Sequence, residues 1–391
     1  MAARPDYADA LYNRGNALKL LKRYEESLAS YDRAVALQPN HADAHNNRGQ
    51  VLRELGRYNE ALASYDRALA LRPHHVMAHC NAAALRLLTG DFGRGWVHYE
   101  WRWLKKSVVP TKRNFSQPAW SGGDRLSGKT ILIHSEQGLG DTIQFARYVP
   151  LIAAGGAQVI FEVQKPLQEL MTGLAGAAKI AAKGGPLPQF DLHCPLLSLP
   201  LAFGTRLETI PSDNAYLRVP PRHLAEWQSR LSGARHPRIG LVWSGNPGHE
   251  RDGERSIGLR ALLPMLDTLS AAASFVSLQK DVRAEDAAIL KERADIVDYG
   301  PALRDFSDTA ALVSQLDLVI SVDTSVAHLA GALGKPVWIL LTYFPDWRWL
   351  LGRDDSPWYP TARLFRQNGT GTWDDVIVRL CQALPQFAKA R

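Results

Sequence analysis

The chain has 391 residues, enough for two or three domains, and its 46% hydrophobic and 22% charged content is typical of a soluble globular protein. It has neither a run approaching the ~20 apolar residues of a membrane span nor an apolar signal segment near its start, so we expect a cytoplasmic protein. The three cysteines form no C-x-x-C pair, which argues against a disulfide framework or a zinc site, and the net charge of +7 suits anionic ligands such as nucleotides.

Two segments near the start of the chain repeat each other at an offset of 34 residues. "YNRGNALKLLKRYEESLASYDRAVALQPNH" begins at Tyr12, and "NNRGQVLRELGRYNEALASYDRALALRPHH" begins at Asn46. Gly15 and Gly49 occupy matching positions, where paired helices must touch closely, and a proline ends each unit. Over residues 8–75 the pattern resembles the tetratricopeptide repeat, which implies an α-solenoid of helix pairs that binds a protein partner.

A third unit, at about residues 76–106, departs from the repeat pattern. It carries Trp96, Trp101 and Trp103, and terminal repeats are often atypical because one face meets something other than a repeat. We expect these tryptophans to pack a capping unit against a neighbouring domain, with stacking on a ligand as the alternative. The repeat module is assigned to residues 1–107.

The polar, Pro- and Gly-bearing stretch at 108–128 predicts a linker. The sequence "TILIHSEQGLGDTIQFARYVPLIAAGGAQVIFEV" then has the pattern strand, glycine-rich turn, helix, strand. Further strands are predicted in "RIGLVW", "ASFVSLQ", "DIVDYG", "DLVISVD" and "PVWILL". We therefore predict two successive Rossmann-like parallel-sheet halves, at 129–222 and 223–391, with a cleft between them.

Polar residues follow the predicted strand "DLVISVD" at the start of a helix. Thr324 and Ser325 supply hydroxyl and backbone N–H donors at that helix start, where the dipole favours an anion. His328 lies one turn further along the same face. This arrangement predicts a phosphate site, and the alternative is that Thr324 or Ser325 merely caps the helix while His328 packs in the core.

Two other elements are candidates for the same cleft. Asp141 stands at the start of the helix after the first strand, where it is either a functional carboxylate or a helix cap. The polar loop "WSGNPGHERDGERSIGL" follows a strand and ends on Arg255 and Ser256, whose position suits neutralisation of a pyrophosphate.

Other kinds of chemistry are poorly supported. "GLGDT" has Gly138 and Gly140 but no third glycine for a dinucleotide fingerprint. The acidic pairs at 354–355 and 374–375 are adjacent in sequence, so they favour capping or solvated charge over a metal site. No nucleophile elbow is present.

Residues ~130–385 resemble the ADP-heptose:lipopolysaccharide heptosyltransferase family of GT-B glycosyltransferases. The resemblance depends on "QGLGDTIQFARYVP", "GLVWSGNP" and "SVDTSVAHLAGALGKPVW" in this order. It implies inverting, metal-independent transfer of a sugar from a nucleotide donor, without a cofactor. It also implies that Asp141 is the acceptor-activating base, that Thr324, Ser325 and His328 bind the donor phosphate, that Asp323 lies near the donor sugar, and that Arg255 replaces a phosphate-binding lysine.

Two features differ from that family. The family motif usually has glycine where Ser325 stands, and the family has no repeat array in front of its catalytic part. Tetratricopeptide repeats before a GT-B part are the layout of O-linked N-acetylglucosamine transferases. We therefore predict a GT-B glycosyltransferase that uses an ADP- or UDP-linked sugar and a protein or glycolipid acceptor, with a protein partner on its repeats. We expect no nucleic acid and at most peripheral membrane contact. The alternative is a non-catalytic repeat adaptor whose GT-B domain is degenerate.

Overall fold

The computed structural model describes residues 7–107, 113–123, 125–212, 215–249, 251–269, 272–369 and 371–390. Helices fill the first of these ranges, and each packs on the next along the chain. They are α1 (Ala8–Leu20), α2 (Tyr24–Leu37), α3 (Ala42–Glu54), α4 (Tyr58–Leu71), α5 (Val76–Leu88) and α6 (Phe92–Tyr99). Helices α2 and α4 each end two residues before a proline, as the repeat pattern predicts.

Glycines determine how closely the helices of a repeat approach each other. A Cβ on Gly15 would lie 2.7 Å from the ring of Tyr31, and one on Gly49 would lie 2.6 Å from the ring of Tyr65. Both tyrosines are fully buried, so their rings cannot move aside without opening a cavity. The prediction that small residues allow close helix contact is confirmed.

The third helix pair ends in a short 3-10 helix, Glu100–Leu104. Trp96 is 2% exposed, donates from Nε1 to the carbonyl of Thr205 at 3.0 Å, and meets the ring of Trp347 edge-on at 5.3 Å. Trp101 stacks on His79 with ring centroids 3.7 Å apart. Trp96 therefore packs, as expected, but against two short segments much later in the sequence that belong to the same compact unit as the repeats and not to a neighbouring domain.

The first sheet is parallel and has the strand order β3-β2-β1-β4. Its strands are β1 (Thr130–His134), β2 (Gln158–Val163), β3 (Ala177–Ala182) and β4 (Leu192–Pro195). The helices between them and after them are α7 (Leu139–Phe145), α8 (Val149–Ala154), α9 (Gln168–Met171) and α10 (Leu199–Ala202). Strand β1 lies inside the sheet, and its apolar run is buried as parallel sheets require.

The second sheet is also parallel, with the order β10-β9-β8-β5-β6-β7. Its strands are β5 (Arg238–Val242), β6 (Ser274–Ser277), β7 (Ile296–Asp298), β8 (Leu318–Val322), β9 (Val337–Leu341) and β10 (Ala362–Arg366). The helices are α11 (Pro221–Arg230), α12 (Asp252–Arg255), α13 (Leu259–Asp267), α14 (Ala284–Glu292), α15 (Phe306–Ser314), α16 (Ser325–Ala332) and α17 (Asp374–Lys389). The strand order reverses between β5 and β8, and ligands of open α/β sheets bind at such a switch point.

The chain forms two compact units. The first comprises Met1–Asn114 with Gly204–Thr209 and Asp346–Leu351, and the second comprises the remainder, including both sheets. The Trp96 contacts lie within the first unit.

The predicted linker at 108–128 lies outside the described residues at 108–112 and 124, but its later part has a defined place in the second unit. Ala119 forms a parallel bridge with His193 of β4, and the backbone N–H of Trp120 donates to the carbonyl of His193 at 2.8 Å. Residues 119–120 therefore follow the edge of the first sheet, which their polar, glycine-rich surroundings in the sequence did not indicate.

Candidate active site

The turn after strand β8 starts helix α16 with polar residues. Thr324 takes the N-cap position with an extended backbone (φ −138°, ψ 172°), and Ser325 is the first helical residue. The Thr324 hydroxyl does not cap the helix and instead lies 3.0 Å from Oγ of Ser321. The structure therefore disfavours the alternative in which Thr324 serves as a side-chain cap, and this helix start resembles those that bind anions.

Arg255 joins the loop after β5 to the turn after β8. Its Nη1 donates to the carbonyl of Asp323 at 3.1 Å, and its guanidinium covers Gly245, where a Cβ would clash at 2.4 Å. The hydroxyl of Ser256 accepts from the N–H of Gly245 and contacts Oδ1 of Asp252, both at 3.0 Å. Arg255 thus adjoins the predicted phosphate turn, whereas the Ser256 hydroxyl is used to hold the loop together.

Gln279, in the segment "SLQKD", fixes the same loop from the other side. Its buried side-chain oxygen accepts from the N–H groups of Trp243 and Ser244 at 3.3 and 3.1 Å. The Ser244 hydroxyl is itself buried and has no hydrogen-bond partner among the described residues. The sequence indicated a strand here and gave no sign of this role for the Gln279 side chain.

The two halves of the second unit contact each other where helices α7 and α16 begin. A Cβ on Gly140 would lie 2.9 Å from Cδ2 of His328 and 3.4 Å from Cα of Ser325. Both helices start at the carboxyl edge of their own sheet, so the polar turns of the two halves come together here. The close approach of the two helices requires Gly140, the second glycine of "GLGDT".

Asp141 is the third residue of helix α7 and lies next to this contact. Its Oδ2 accepts from the backbone N–H of Gly138 at 2.8 Å, as in a capping box. Asp141 therefore makes a capping interaction from inside the first turn, not from the N-cap position, which Gly138 occupies.

His328 lies deep in the same place and is 5% exposed. Its Nε2 is 4.0 Å from Oδ1 of Asp323, and its Nδ1 is 2.9 Å from the hydroxyl of Tyr359. Sequence reasoning missed Tyr359, because it stands 31 residues after His328 in an aromatic stretch without a spacing that would single it out.

Most of the predicted site residues gather at this edge. Those that lie at or beside the junction of α7, α12 and α16 are Asp141, Arg255, Asp323, Thr324, Ser325 and His328. Ser256 is close by but serves the loop.

A separate polar cluster surrounds helix α11. Nδ1 of His223 lies 2.8 Å from Oδ1 of Asp308 on α15, and its Nε2 lies 3.0 Å from Oε1 of Glu169 on α9. Among the described residues, His223, Glu226 and Asp308 are the one group with the spacing of metal ligands. Arg304, however, donates to Asp308 at 2.7 Å and to Glu226 at 2.9 Å, so cations already pair with both carboxylates. The cluster has the character of an ion-pair network that ties helices of the two sheets together.

The network shifts two pKa values in opposite directions. Burial acts to lower the pKa of His223, but its hydrogen bonds with Asp308 and Glu169 outweigh burial and raise it. Burial acts to raise the pKa of Asp308, but hydrogen bonds from Arg304, His223 and Trp227 hold it well below its ordinary value. Both shifts favour the charged pair.

Two stretches of the chain match family profiles. Residues 6–74 match the profile described as tetratricopeptide repeat, and residues 273–353 match glycosyltransferase family 9 (heptosyltransferase). The second match includes Asp323 and His328 but not Asp141 or Arg255. It therefore covers only the part of the candidate site that lies on β8 and α16.

A related protein and a solved structure resemble large parts of the chain. Protein FlbA of Caulobacter vibrioides is 28% identical over 329 residues, which make up 78% of this chain and 54% of FlbA, so the chain spans about half the length of this relative. A glycosyl transferase family 9 structure from Veillonella parvula DSM 2008 has a TM-score of 0.51 at 12% identity, covering 68% of this chain and 99% of that one. Helical repeats thus precede an α/β fold like that of a family 9 glycosyltransferase. In the part of the chain that the structure describes, no helix has the length and apolar character needed to cross a membrane.

Proposed function

We propose that this chain, in which tetratricopeptide repeats precede a glycosyltransferase family 9 (heptosyltransferase) domain, transfers a sugar from a nucleotide-sugar donor to an acceptor hydroxyl. The donor is an ADP- or UDP-linked sugar. The reaction is a single displacement that inverts the anomeric centre and uses neither a metal ion nor another cofactor. The repeats recruit a protein acceptor or a protein partner.

The observation that carries this proposal is the convergence of anion-binding groups at the β5/β8 switch point. Arg255 lies against the turn at Asp323, the start of α16 points its amide dipole there, and His328 faces the same turn. Two negative charges of a diphosphate would meet a guanidinium, a helix start and an imidazole N–H. These are the groups that stabilise a leaving nucleoside diphosphate.

Asp141 is the base that activates the acceptor hydroxyl. The acceptor oxygen forms the new bond to the anomeric carbon as the bond from that carbon to the diphosphate oxygen breaks. The proton of the acceptor hydroxyl passes to the carboxylate of Asp141, while the electron pair of the broken bond leaves with the diphosphate. A carboxylate offers about four lone-pair sites, and the capping bond to Gly138 occupies one of them, so capping does not prevent this group from accepting a proton.

The repeats contribute a row of amides suited to a polypeptide. Nδ2 of Asn47 donates to Oδ1 of Asn16 at 2.8 Å, and Nδ2 of Asn81 donates to Oδ1 of Asn46 at 2.9 Å. These side chains lie on α1, α3 and α5, the first helix of each pair, and three of the four are only half buried. Side-chain amides offer both donors and acceptors, so they match the backbone of an extended protein segment.

Isothermal titration with nucleoside diphosphates and nucleotide sugars tests the donor proposal directly. We expect one diphosphate to bind and His328→Ala to weaken its binding by about 1.5–3 kcal/mol, because a charge-assisted hydrogen bond is lost. His236→Ala is the matched control, since His236 is exposed and pairs with Asp317 at the amino ends of β5 and β8. Absence of binding by every nucleotide tried would favour the adaptor alternative, and equal affinity in parent and His328→Ala would remove His328 from the donor site.

A further inference from the structure

The ring of His328 is held between two elements from different parts of the chain. On one edge, Cδ2 faces Gly140 so closely that a Cβ there would lie 2.9 Å away. On the other edge, Nδ1 lies 2.9 Å from the hydroxyl of Tyr359. The remaining nitrogen, Nε2, is directed toward Asp323, 4.0 Å from its Oδ1. The ring therefore presents one defined nitrogen to the turn.

Tyr359 is itself held by contacts with Gly331 and Arg147. A Cβ on Gly331 of α16 would lie 2.4 Å from its ring, so only glycine allows the ring to sit there. The buried guanidinium of Arg147 lies 4.8 Å from the ring centroid. Arg147 also donates to the carbonyl of Trp358 at 2.7 Å and to that of Gln144 at 2.8 Å, so it ties the Tyr359 segment to the end of helix α7.

We propose that Tyr359 is a positioning residue: its hydroxyl donates to Nδ1 of His328 and so keeps the imidazole proton on Nε2, toward the donor diphosphate. The identity of the ligand in this inference rests on the proposed function. The assignment of the imidazole proton to Nε2 is independent of it. Nε2 faces the carboxylate of Asp323 and, in the complex, a diphosphate, and both favour a donor at that position. Nδ1 is then the acceptor, and the tyrosine hydroxyl is the group that can donate to it.

Tyr359→Phe tests this role because it keeps the ring against Gly331 and Arg147 and removes only the hydroxyl. We expect nucleoside diphosphate affinity to fall about two- to tenfold, the effect of one net hydrogen bond. In a His328→Ala background the same change should alter affinity by less than about twofold, because Tyr359 then has no imidazole to orient. Equal losses in both backgrounds, or no loss in the single variant, would overturn the proposal.

Tyr299→Phe is the matched control. Its hydroxyl donates to the carbonyl of Arg230 at 3.1 Å, and removing it should leave nucleotide affinity unchanged. Thermal unfolding of both variants checks that the fold is retained.

Nitrogen-15 NMR of the histidine rings separates this proposal from the proposed function. With the His328 signals assigned by loss in His328→Ala, we expect the Nε2–H tautomer in the unliganded protein and a mixture of tautomers in Tyr359→Phe. Predominance of Nδ1–H in the parent protein would overturn the positioning role even if nucleotides bind. The expected tautomer in a protein that binds no nucleotide would instead support the positioning of His328 and count against the proposed function.

Discussion

A carboxylate that stabilises its own helix can also accept a proton, and Asp141 has the surroundings for both roles. Its Oδ2 accepts the Gly138 N–H at 2.8 Å, which holds the side chain at the first turn of α7. The neighbouring Gly140 is in contact with His328 and Ser325, so the helix turn that carries Asp141 abuts the turn after β8. Capping therefore orients the carboxylate, and this is compatible with the proposed role of Asp141 as a base.

Asp141→Asn distinguishes the two roles. An amide oxygen can still accept from Gly138, so helix stability should change little, but an amide cannot take up the acceptor proton at neutral pH. We expect turnover to fall by ~10²–10⁴-fold while donor affinity stays close to that of the parent. Steady-state kinetics and titration calorimetry on the same preparations measure both quantities.

Asp305→Asn is the control for loss of charge at a capping position. Asp305 is the N-cap of α15 and accepts from the N–H groups of Ser307 and Asp308, and none of these three residues is among the predicted site residues. Its variant should turn over normally. If Asp141→Asn behaved in the same way, Asp141 would be a helix cap alone and the base would have to be sought elsewhere.

Residues of the candidate site differ in how readily the sequence shows them. Asp323, Thr324 and Ser325 could be predicted because a strand end and a helix start are local patterns, and parallel strands bring their carboxyl ends to one edge. Arg255 could be placed on the correct loop for the same reason. Tyr359 could not, since its contact with His328 depends on how the segment after β9 folds back over α16, which no local pattern encodes.

At the scale of helices, the network around α11 connects elements of both sheets. His223 and Arg222 on α11 contact Glu169 of α9, while His223 and Trp227 contact Asp308 of α15. Buried ion pairs of this kind cost desolvation, but removing one partner leaves the other charge buried and uncompensated. The network is therefore sensitive to the protonation of His223.

The stability that it contributes should depend on pH. Because the pKa of His223 is raised on folding, its contribution is complete below the unfolded value near ~6.5 and is lost as pH rises through the folded pKa. Because the pKa of Asp308 is lowered, its contribution is present above ~4 and is lost as pH falls through the folded pKa. The network should thus stabilise most between about pH 4 and 6.5.

His223→Gln tests this dependence. We expect it to lower the free energy of unfolding by about 2 kcal/mol at pH 5.5 and by clearly less at pH 8.5, as measured by urea unfolding. His236→Gln is the comparison, because that histidine is 62% exposed in its pair with Asp317 and exposed pairs contribute about 0–1 kcal/mol. A loss in His223→Gln that was the same at both pH values would contradict the linkage.

Elements of the repeat module could be predicted more fully than the start of the second unit. The 34-residue repeat specifies where each helix pair lies, because the same small residues recur against the same tyrosines. The segment at 108–128 looked like a linker since it is polar and rich in Pro and Gly. Its pairing with β4 depends on backbone groups, which residue type does not indicate.

At the scale of the whole molecule, the first unit is discontinuous in sequence. It includes Gly204–Thr209 and Asp346–Leu351 in addition to the repeats. Trp96 buries its ring against Trp347 and donates to Thr205, so the capping pair α5–α6 depends on residues encoded far downstream. The helices before α5 pack on one another and, through α3 and α4, on α5. The repeats therefore divide into a capping pair and a removable part.

This division predicts the effect of deleting the removable part. Without residues 1–75, α5 and α6 keep their contacts to Trp347 and Thr205, and the chain loses Asn16, Asn46 and Asn47. We expect transfer to the natural acceptor to be abolished, because the amide row is removed, while slow hydrolysis of the donor continues in the second unit. Deletion of residues 1–41, which leaves α3 to α6, should weaken transfer by a smaller factor and serves as the graded control. Donor hydrolysis and acceptor glycosylation are assayed in parallel, with far-ultraviolet circular dichroism as the check on folding. A folded 76–391 chain that modified its acceptor at the parent rate would show that the repeats do not recognise the acceptor.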